Sequence, residues 1–279
     1  MDWLRRVGAS ALLAGQVLLH LGSGRIHRRN TFDQLSAVGL ESLLIVLITS
    51  VVISGVFTIQ VAREFINFGA SSLIGGVLAI ALTRELTPVV TAVVMCGRVG
   101  SAFAAEMGTM KVTEQVDALQ ILRTDPVDYL VTPRVVACAL MLPVLTMLSL
   151  ITGLIGGMII CDGLYNIAPS QFLSSAQSLL TTWDLFVCVI KASIFGILIA
   201  LIGSGWGLST QGGAKGVGRS TTDAVVTALL AVFISNFFLS WLLFQGPGQS
   251  MGTASGTSSP QGSQAAMIRP AGGSPSLES

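Results

Sequence analysis

Charged residues are scarce in this sequence. Its 279 residues include 15 Lys or Arg and 14 Asp or Glu, or 10% charged, whereas a soluble domain carries roughly 25%. Hydrophobic residues make up 52% of the chain and the mean hydropathy is +0.77. A soluble globule could not cover its surface with so few charges, and a chain this hydrophobic is not disordered over most of its length. Aromatic residues are also few, at 6%, and no basic run is interleaved with rings, so nucleic acid is not an expected partner.

Side chains suited to metal binding or catalysis are equally sparse. The chain has 2 histidines, His20 and His27, and 4 cysteines with no Cys-x-x-Cys spacing, so neither a metal site nor a disulfide framework is expected. The glycine-rich segment 212–215 lacks the spacing of a phosphate-binding loop. We therefore predict no catalytic residues, no metal and no cofactor in this chain.

Apolar runs of the length that spans a bilayer as a helix dominate the chain. In lipid the backbone must satisfy its own hydrogen bonds, which favours helices. We predict an all-α membrane protein with five transmembrane helices. The runs are Ser36–Ala62, Ala70–Gly108, Tyr129–Ile160, Thr182–Leu208 and Thr221–Phe244.

The distribution of Lys and Arg predicts the orientation, because these residues are concentrated in cytoplasmic loops. With the N-terminus inside, ten of the 15 lie on the cytoplasmic side, whereas only Arg63 and Arg269 lie outside. We therefore expect a cytoplasmic N-terminus and a periplasmic C-terminus. The ten are Arg5, Arg6, Arg25, Arg28, Arg29, Lys111, Arg123, Arg134, Lys215 and Arg219.

The two ends of the chain differ from its centre. Residues 1–30 place apolar side chains on one helical face with Arg5 and Arg6 off it, which predicts an amphipathic helix in the membrane interface; a cleaved signal peptide is the alternative. Residues 246–279 are rich in Gly, Ser and Pro and are expected to form a flexible tail. The predicted five-helix membrane domain is 31–245.

Three of the charges within the apolar runs are especially informative, because a charge at the centre of a span costs about 2.5–3.5 kcal/mol. Arg84 and Glu85 are adjacent in the second run, followed by Pro88, and Lys191 lies well inside the fourth. They could form a structural ion pair between helices. Alternatively, they could form a polar patch in a cavity, where Arg84 and Lys191 would suit an anionic headgroup on an apolar body.

Small residues recur every four positions in the second run, which lets another backbone approach closely. This pattern is expected in a tight helix core or at a subunit interface. The residues are Ala92, Cys96, Gly100, Ala104 and Gly108.

The segment Lys111–Arg134 mixes acidic and apolar residues between two spans. Thr113 is a candidate N-cap for a short amphipathic helix that ends before Asp125-Pro126. Such a helix suits docking to a cytoplasmic partner; the alternative is a loop helix that rests on the membrane face.

These segments together resemble a known family. Their charged and glycine positions match, in order, those of the MlaE/YrbE permeases, and the resemblance extends over about residues 1–245. The matching strings are Arg84-Glu85-Leu86-x-Pro88-Val89, Gly97-Arg98-x-Gly100-Ser101-Ala102, Ala105-Glu106-x-Gly108-x-Met110, Glu114-Gln115-x-x-Ala118-Leu119 and Asp125-Pro126-x-x-Tyr129-Leu130-x-x-Pro133-Arg134.

The resemblance implies a permease of an ABC-type phospholipid transporter in the bacterial inner membrane. Two copies of the permease would pair, a separate cytoplasmic ATPase would bind the ATP, and an MCE-domain protein on the outer side would exchange lipid with the permease. Arg84 and Glu85 match the family's lipid-pocket positions, and Lys191 occupies a matching place on the fourth span. The residues expected to couple to the ATPase are Glu114, Gln115, Ala118, Leu119 and Leu122.

Two other functions are alternatives to lipid transport. An ion- or proton-coupled secondary carrier could use Arg84, Glu85 and Lys191 as a relay, although the sequence shows no paired repeats. An intramembrane enzyme is disfavoured because no Ser/His, His-rich or paired-Asp constellation lies at membrane depth.

Overall fold

The computed structural model describes Gly8, Gly15, Val17 and residues 28–244. It contains five helical stretches long and apolar enough to cross a membrane, and no strand occurs in this described part. The predicted all-α membrane fold is thus confirmed. The α-helices are α1 (Arg28–Asn67), α2 (Ile74–Ala81), α3 (Thr87–Met95), α4 (Ser101–Val112), α5 (Gln115–Ile121), α6 (Thr132–Tyr165), α7 (Pro169–Leu179), α8 (Thr182–Leu208) and α9 (Gly213–Phe244).

The boundaries of the spans agree with the sequence prediction to different degrees. The fourth span is Thr182–Leu208, as predicted, because the capping residues and the apolar run begin together. The third span is longer than predicted, at Val127–Tyr165. The fifth begins at Gly213 rather than Thr221, because helix α9 starts with two polar turns ahead of the apolar run.

The second span, Ser71–Val112, is one continuous helical stretch with two wide turns. Helices α2, α3 and α4 are joined by five-residue π-helical segments, Leu82–Leu86 and Cys96–Gly100. Such segments are rare and occur frequently at functional sites. The first of them contains Arg84 and Glu85, so the local backbone deviates from a regular helix where the sequence places two charges.

The small-residue stripe lies inside the chain, against helix α8. A Cβ added to Gly203 would stand 2.8 Å from the carbonyl oxygen of Gly100, and one added to Gly207 would stand 3.0 Å from that of Ala104. These glycines therefore let the second and fourth spans approach at backbone contact. Of the two alternatives open from the sequence, the structure shows the tight helix core.

Short helices connect the spans at the two ends of the bundle, here named the α5 end and the α7 end. Helix α7 packs on α2, where the Gly76 amide donates to the Ser175 hydroxyl at 3.0 Å. At the opposite end, α5 follows α4 through Glu114, whose φ is +62°. Thr113 is not its N-cap, because the Thr113 hydroxyl donates to the Thr109 carbonyl at 2.8 Å and closes the preceding helix.

Two predicted segments fall largely outside the residues that the structure describes. The first is the predicted interfacial helix in residues 1–30, where the structure describes only Gly8, Gly15, Val17 and residues 28–30. The Val17 side chain is buried in the main apolar cluster. The predicted tail, residues 246–279, is not described. The chain divides into a unit that ends at Ser240 and a second unit, of which the structure describes Trp241–Phe244, the end of α9.

Candidate functional site

Pro88 changes which group donates a hydrogen bond to the Arg84 carbonyl oxygen. A regular helix would pair the Arg84 carbonyl oxygen with the amide of residue 88, but proline has no N–H to donate. The Lys191 ammonium, on α8, donates to this oxygen at 2.8 Å. A side chain of the fourth span thus satisfies a backbone acceptor in the wide turn of the second.

Lys191 also forms an ion pair with Glu85. The distance from Lys191 Nζ to Glu85 Oε1 is 3.0 Å, and the Lys191 side chain is 0% exposed. One hydroxyl and one amide group of α9 also contact the Glu85 carboxylate. Ser240 Oγ donates to Oε1 at 2.7 Å and Asn236 Nδ2 donates to Oε2 at 2.9 Å. Glu85 therefore joins the second, fourth and fifth spans.

Arg84 pairs with a residue that the sequence reasoning missed. Its Nε donates to Asp184 Oδ1 at 2.8 Å, and the Asp184 side chain is only 1% exposed. The other carboxylate oxygen accepts the Thr181 amide at 3.0 Å in a capping box that begins α8. The pattern Thr181-x-x-Asp184 ahead of an apolar run is the available signal for this residue, because it marks a helix N-terminus.

The ion pair with Asp184 also shows how deep Arg84 lies along the helix bundle. Asp184 lies in the first turn of α8, so Arg84 lies near the α7 end of the fourth span although it is well inside the second. A charge at the end of a span is close to the region of lipid headgroups, whereas one at mid-span is not. We call Arg84, Glu85, Asp184 and Lys191 the Arg84 cluster.

Exposure divides the cluster into an inner and an outer half. Lys191 and Asp184 are buried, whereas the side chains of Arg84 and Glu85 are 38% and 44% exposed. The structure therefore brings the three predicted lipid-binding residues together. Arg84 and Glu85 are the accessible members of the cluster, and the buried Lys191 ammonium contacts the Arg84 carbonyl oxygen and the Glu85 carboxylate.

At the α5 end, the predicted coupling residues lie on a short exposed helix. Val116 is 3% exposed and anchors α5, whereas Ile121 and Leu122 are 83% and 73% exposed. An ion pair of 2.8 Å between Lys111 Nζ and Asp117 Oδ1 ties α5 to the end of α4. Glu114, Gln115 and Ala118 are exposed and Leu119 is half-buried.

Two further ion pairs lie in the part of the bundle near α5. Arg134, buried in the first turn of α6, donates to Glu106 Oε2 at 2.8 Å and lies 5.3 Å from the Phe103 ring centroid. Arg98 donates to Glu41 Oε2 at 3.0 Å. A cavity of about 140 Å³ beside these residues is lined by both Glu41 and Glu106, and it does not include the Arg84 cluster.

Chemistry beyond ion pairing is not evident in the described part of the chain. No three His, Cys, Asp or Glu side chains among those residues could hold a metal ion. Cys96, Cys138, Cys161 and Cys188 are each buried with a free thiol. The charged and polar side chains of the Arg84 cluster can bind and position a polar group.

Known proteins are similar to this chain over most of its length. A family profile described as Permease MlaE matches residues 31–242. A probable ABC transporter permease protein of Synechocystis sp. is 62% identical over 89% of this chain and 94% of its own length. The protein named trigalactosyldiacylglycerol 1, chloroplastic, of Arabidopsis thaliana is 48% identical over 86% of this chain and 69% of its own length. A probable ABC transporter permease protein of Pyropia yezoensis is 45% identical over 90% of this chain and 96% of its own length.

Proposed function

Because this chain belongs to the MlaE permease family, we propose that it is the membrane-spanning subunit of an ABC-type transporter that moves a phospholipid-like molecule. The observation that carries the proposal is the Arg84 cluster: charged side chains joined across the second and fourth spans, with Arg84 and Glu85 partly exposed. Ionisable groups within spans are costly and usually mark a substrate pathway. A lipid would place its headgroup on Arg84 and Glu85, which Lys191 supports, and its acyl chains along the apolar spans.

The energy for transport would come from a separate subunit. The sequence has no phosphate-binding loop. Its family is described as a permease, and the Synechocystis relative is named a probable ABC transporter permease protein. We place a cytoplasmic ATPase against α5, where Glu114, Gln115, Ala118, Leu119 and Leu122 would form the contact. Exposed Ile121 and Leu122 form an apolar patch of the kind that a partner groove buries.

The remaining partners follow from the family resemblance. A second copy of this chain would complete the transmembrane part as a homodimer, and an MCE-domain protein would receive or deliver lipid at the α7 end. In this arrangement the α5 end faces the cytoplasm and the C-terminus the periplasm of a bacterial inner membrane. ATP binding would change the relative position of the two permeases, so this chain would make and break no covalent bonds.

Copurification and lipid analysis test the proposal together. The full-length chain, tagged and purified from its native membrane, should retain an ATPase with a phosphate-binding loop and bound phospholipid, and the lipid content should change when ATP is added. A secondary carrier would copurify with no ATPase, and its transport would depend on an ion gradient. Retention of neither ATPase nor lipid would contradict the proposal.

A further inference from the structure

We infer that the Arg84 cluster selects a lipid whose headgroup carries no net charge and presents both a hydrogen-bond donor and an acceptor. Zwitterionic phospholipids and uncharged sugar lipids share this chemistry. The inference rests on the proposed function, since it assigns a substrate class to the same site. It differs from the expectation from sequence, which matched Arg84 and Lys191 with an anionic headgroup.

The charges of the cluster already balance. Each cation has a carboxylate partner, Arg84 with Asp184 at 2.8 Å and Lys191 with Glu85 at 3.0 Å. Two positive and two negative groups give a net charge of zero. An anionic headgroup would therefore add an uncompensated charge to a partly desolvated site, where such a charge is costly.

Lys191 is not available to a headgroup. An ammonium group has three N–H donors, and Lys191 Nζ contacts three acceptors: the Arg84 carbonyl oxygen, Glu85 Oε1 and Ser240 Oγ. Its side chain is 0% exposed. The cation that would otherwise attract a phosphate is thus used to hold the second and fifth spans.

The accessible half of the cluster consists of one guanidinium and one carboxylate. Arg84 is 38% exposed and Glu85 is 44% exposed. A phosphate with an attached ammonium meets both charges, and sugar hydroxyls can accept from Arg84 and donate to Glu85. An anion that offers only acceptors would face the Glu85 carboxylate, which is a repulsive arrangement.

Asp184 acts here as a positioning residue. One of its carboxylate oxygens is held by the Thr181 amide and the other accepts from Arg84 Nε, and the side chain is 1% exposed. The residue therefore neutralises Arg84 and orients it without reaching a lipid. Asp184→Asn keeps the shape of the side chain and an oxygen acceptor but leaves the cluster with a charge of +1.

A competition experiment on the intact complex tests the inference. The complex is exchanged into detergent micelles that contain equimolar phosphatidylethanolamine, monoglycosyl diacylglycerol and phosphatidylglycerol with identical acyl chains, then repurified, and retained lipids are quantified by mass spectrometry. The native protein should retain the two neutral lipids in excess over phosphatidylglycerol. Asp184→Asn should shift the ratio towards phosphatidylglycerol by about tenfold, the ratio that corresponds to about 1.4 kcal/mol.

Asp223→Asn is the matched control, because Asp223 also faces an arginine, Arg219 at 3.8 Å, but on the exposed start of α9. It should leave the lipid ratio unchanged. Preference of the native protein for either neutral lipid, or for both, supports the inference. Equal retention of all three lipids, or an excess of phosphatidylglycerol, overturns the inference and leaves the proposed lipid transport intact. Retention of no lipid at all overturns both, and the native ratio decides even if Asp184→Asn does not fold.

Discussion

Lys191 Nζ lies 2.8 Å from the carbonyl oxygen of Arg84, the acceptor that Pro88 leaves without its usual helical donor. A buried lysine is costly unless its ammonium is fully paired. Here a proline-modified wide turn supplies a backbone oxygen and the next residue, Glu85, supplies the countercharge. The wide turn in the second span and the buried charge in the fourth therefore stabilise each other.

We expect Lys191→Met to destabilise the protein by about 3 kcal/mol, the low end for breaking a buried pair, because Glu85 is half exposed and can be hydrated. The thermal unfolding temperature in detergent measures the effect. Ser240→Ala serves as the comparison, since it removes a hydroxyl that contacts both Lys191 and Glu85 but leaves the ion pair. An unfolding temperature equal to that of the native protein would show that the pair contributes nothing to stability.

The sequence reveals which charges lie in the membrane but not how they pair. Counting apolar residues is sufficient to place Arg84, Glu85 and Lys191 within spans, and the capping pattern at Thr181 could have indicated Asp184. Pairing depends on the rotation and relative depth of two helices, which local periodicity does not encode. Arg84 is 13 positions past Ser71, yet it meets Asp184 in the first turn of α8 because the second span is 42 residues long and extends beyond the shorter fourth, at 27 residues.

Arg84→Ala should lower the amount of phospholipid or sugar lipid that copurifies with the complex, because it removes the exposed cation of the proposed site. Lipid mass spectrometry of the purified protein measures the loss. Arg98→Ala is the control, since Arg98 pairs with Glu41 at 3.0 Å in another part of the second span. Unchanged lipid content in an intact Arg84→Ala assembly would remove Arg84 from the site.

Glu114→Lys should weaken association with the ATPase, because Glu114 is exposed at the start of α5 and reversal of its charge would repel a partner suited to a carboxylate. The measure is the ratio of ATPase to permease after affinity purification. Glu64→Lys makes the same change at an exposed position near the end of α1 and should have no effect. If both variants retain the ATPase equally, α5 is not the docking element.

Gly203→Ala should destabilise the contact between the second and fourth spans. The new Cβ would stand 2.8 Å from the Gly100 carbonyl oxygen, and backbone cannot yield as a flexible side chain does, so a cost of about 1–3 kcal/mol is expected. Gly97→Ala, in the same stripe region, would meet nothing within 4 Å and should be tolerated. Equal unfolding temperatures for the two variants would contradict the close approach of these helices.

The small-residue stripe illustrates a second limit of the sequence. Its four-residue spacing indicates that some backbone packs against the second span, but a partner helix of the same chain and one of a second copy leave the same pattern. Whether the stripe packs within the chain depends on which α8 glycines face it in the folded protein. Gly203 and Gly207 do so, but not every glycine of α8 does. Gly196, for example, meets the carbonyl oxygen of Cys138 on α6 rather than the stripe.

The pair between Glu106 and Arg134 supports a final prediction about coupling. The two residues are in α4 and α6, on either side of the segment that contains α5, and Arg134 Nη2 lies 2.8 Å from Glu106 Oε2. The Arg134 side chain is 7% exposed and also contacts Met107 Sδ and the Phe103 ring. A motion imposed on α5 would therefore reach both spans through this pair.

Glu106→Gln should leave the buried guanidinium without its countercharge and destabilise the protein by about 3 kcal/mol, with weaker stimulation of ATP hydrolysis by lipid. Removal of both charges in Glu106→Gln/Arg134→Gln should recover part of the stability, because no unpaired charge remains, but should not restore the stimulation. Unfolding temperatures of both single variants and the double variant give the coupling free energy, and ATPase assays on the same complexes give the functional effect. Additive changes in stability would mean that the two side chains act independently. Full lipid stimulation in the double variant would mean that motion passes from α5 to the spans by another route.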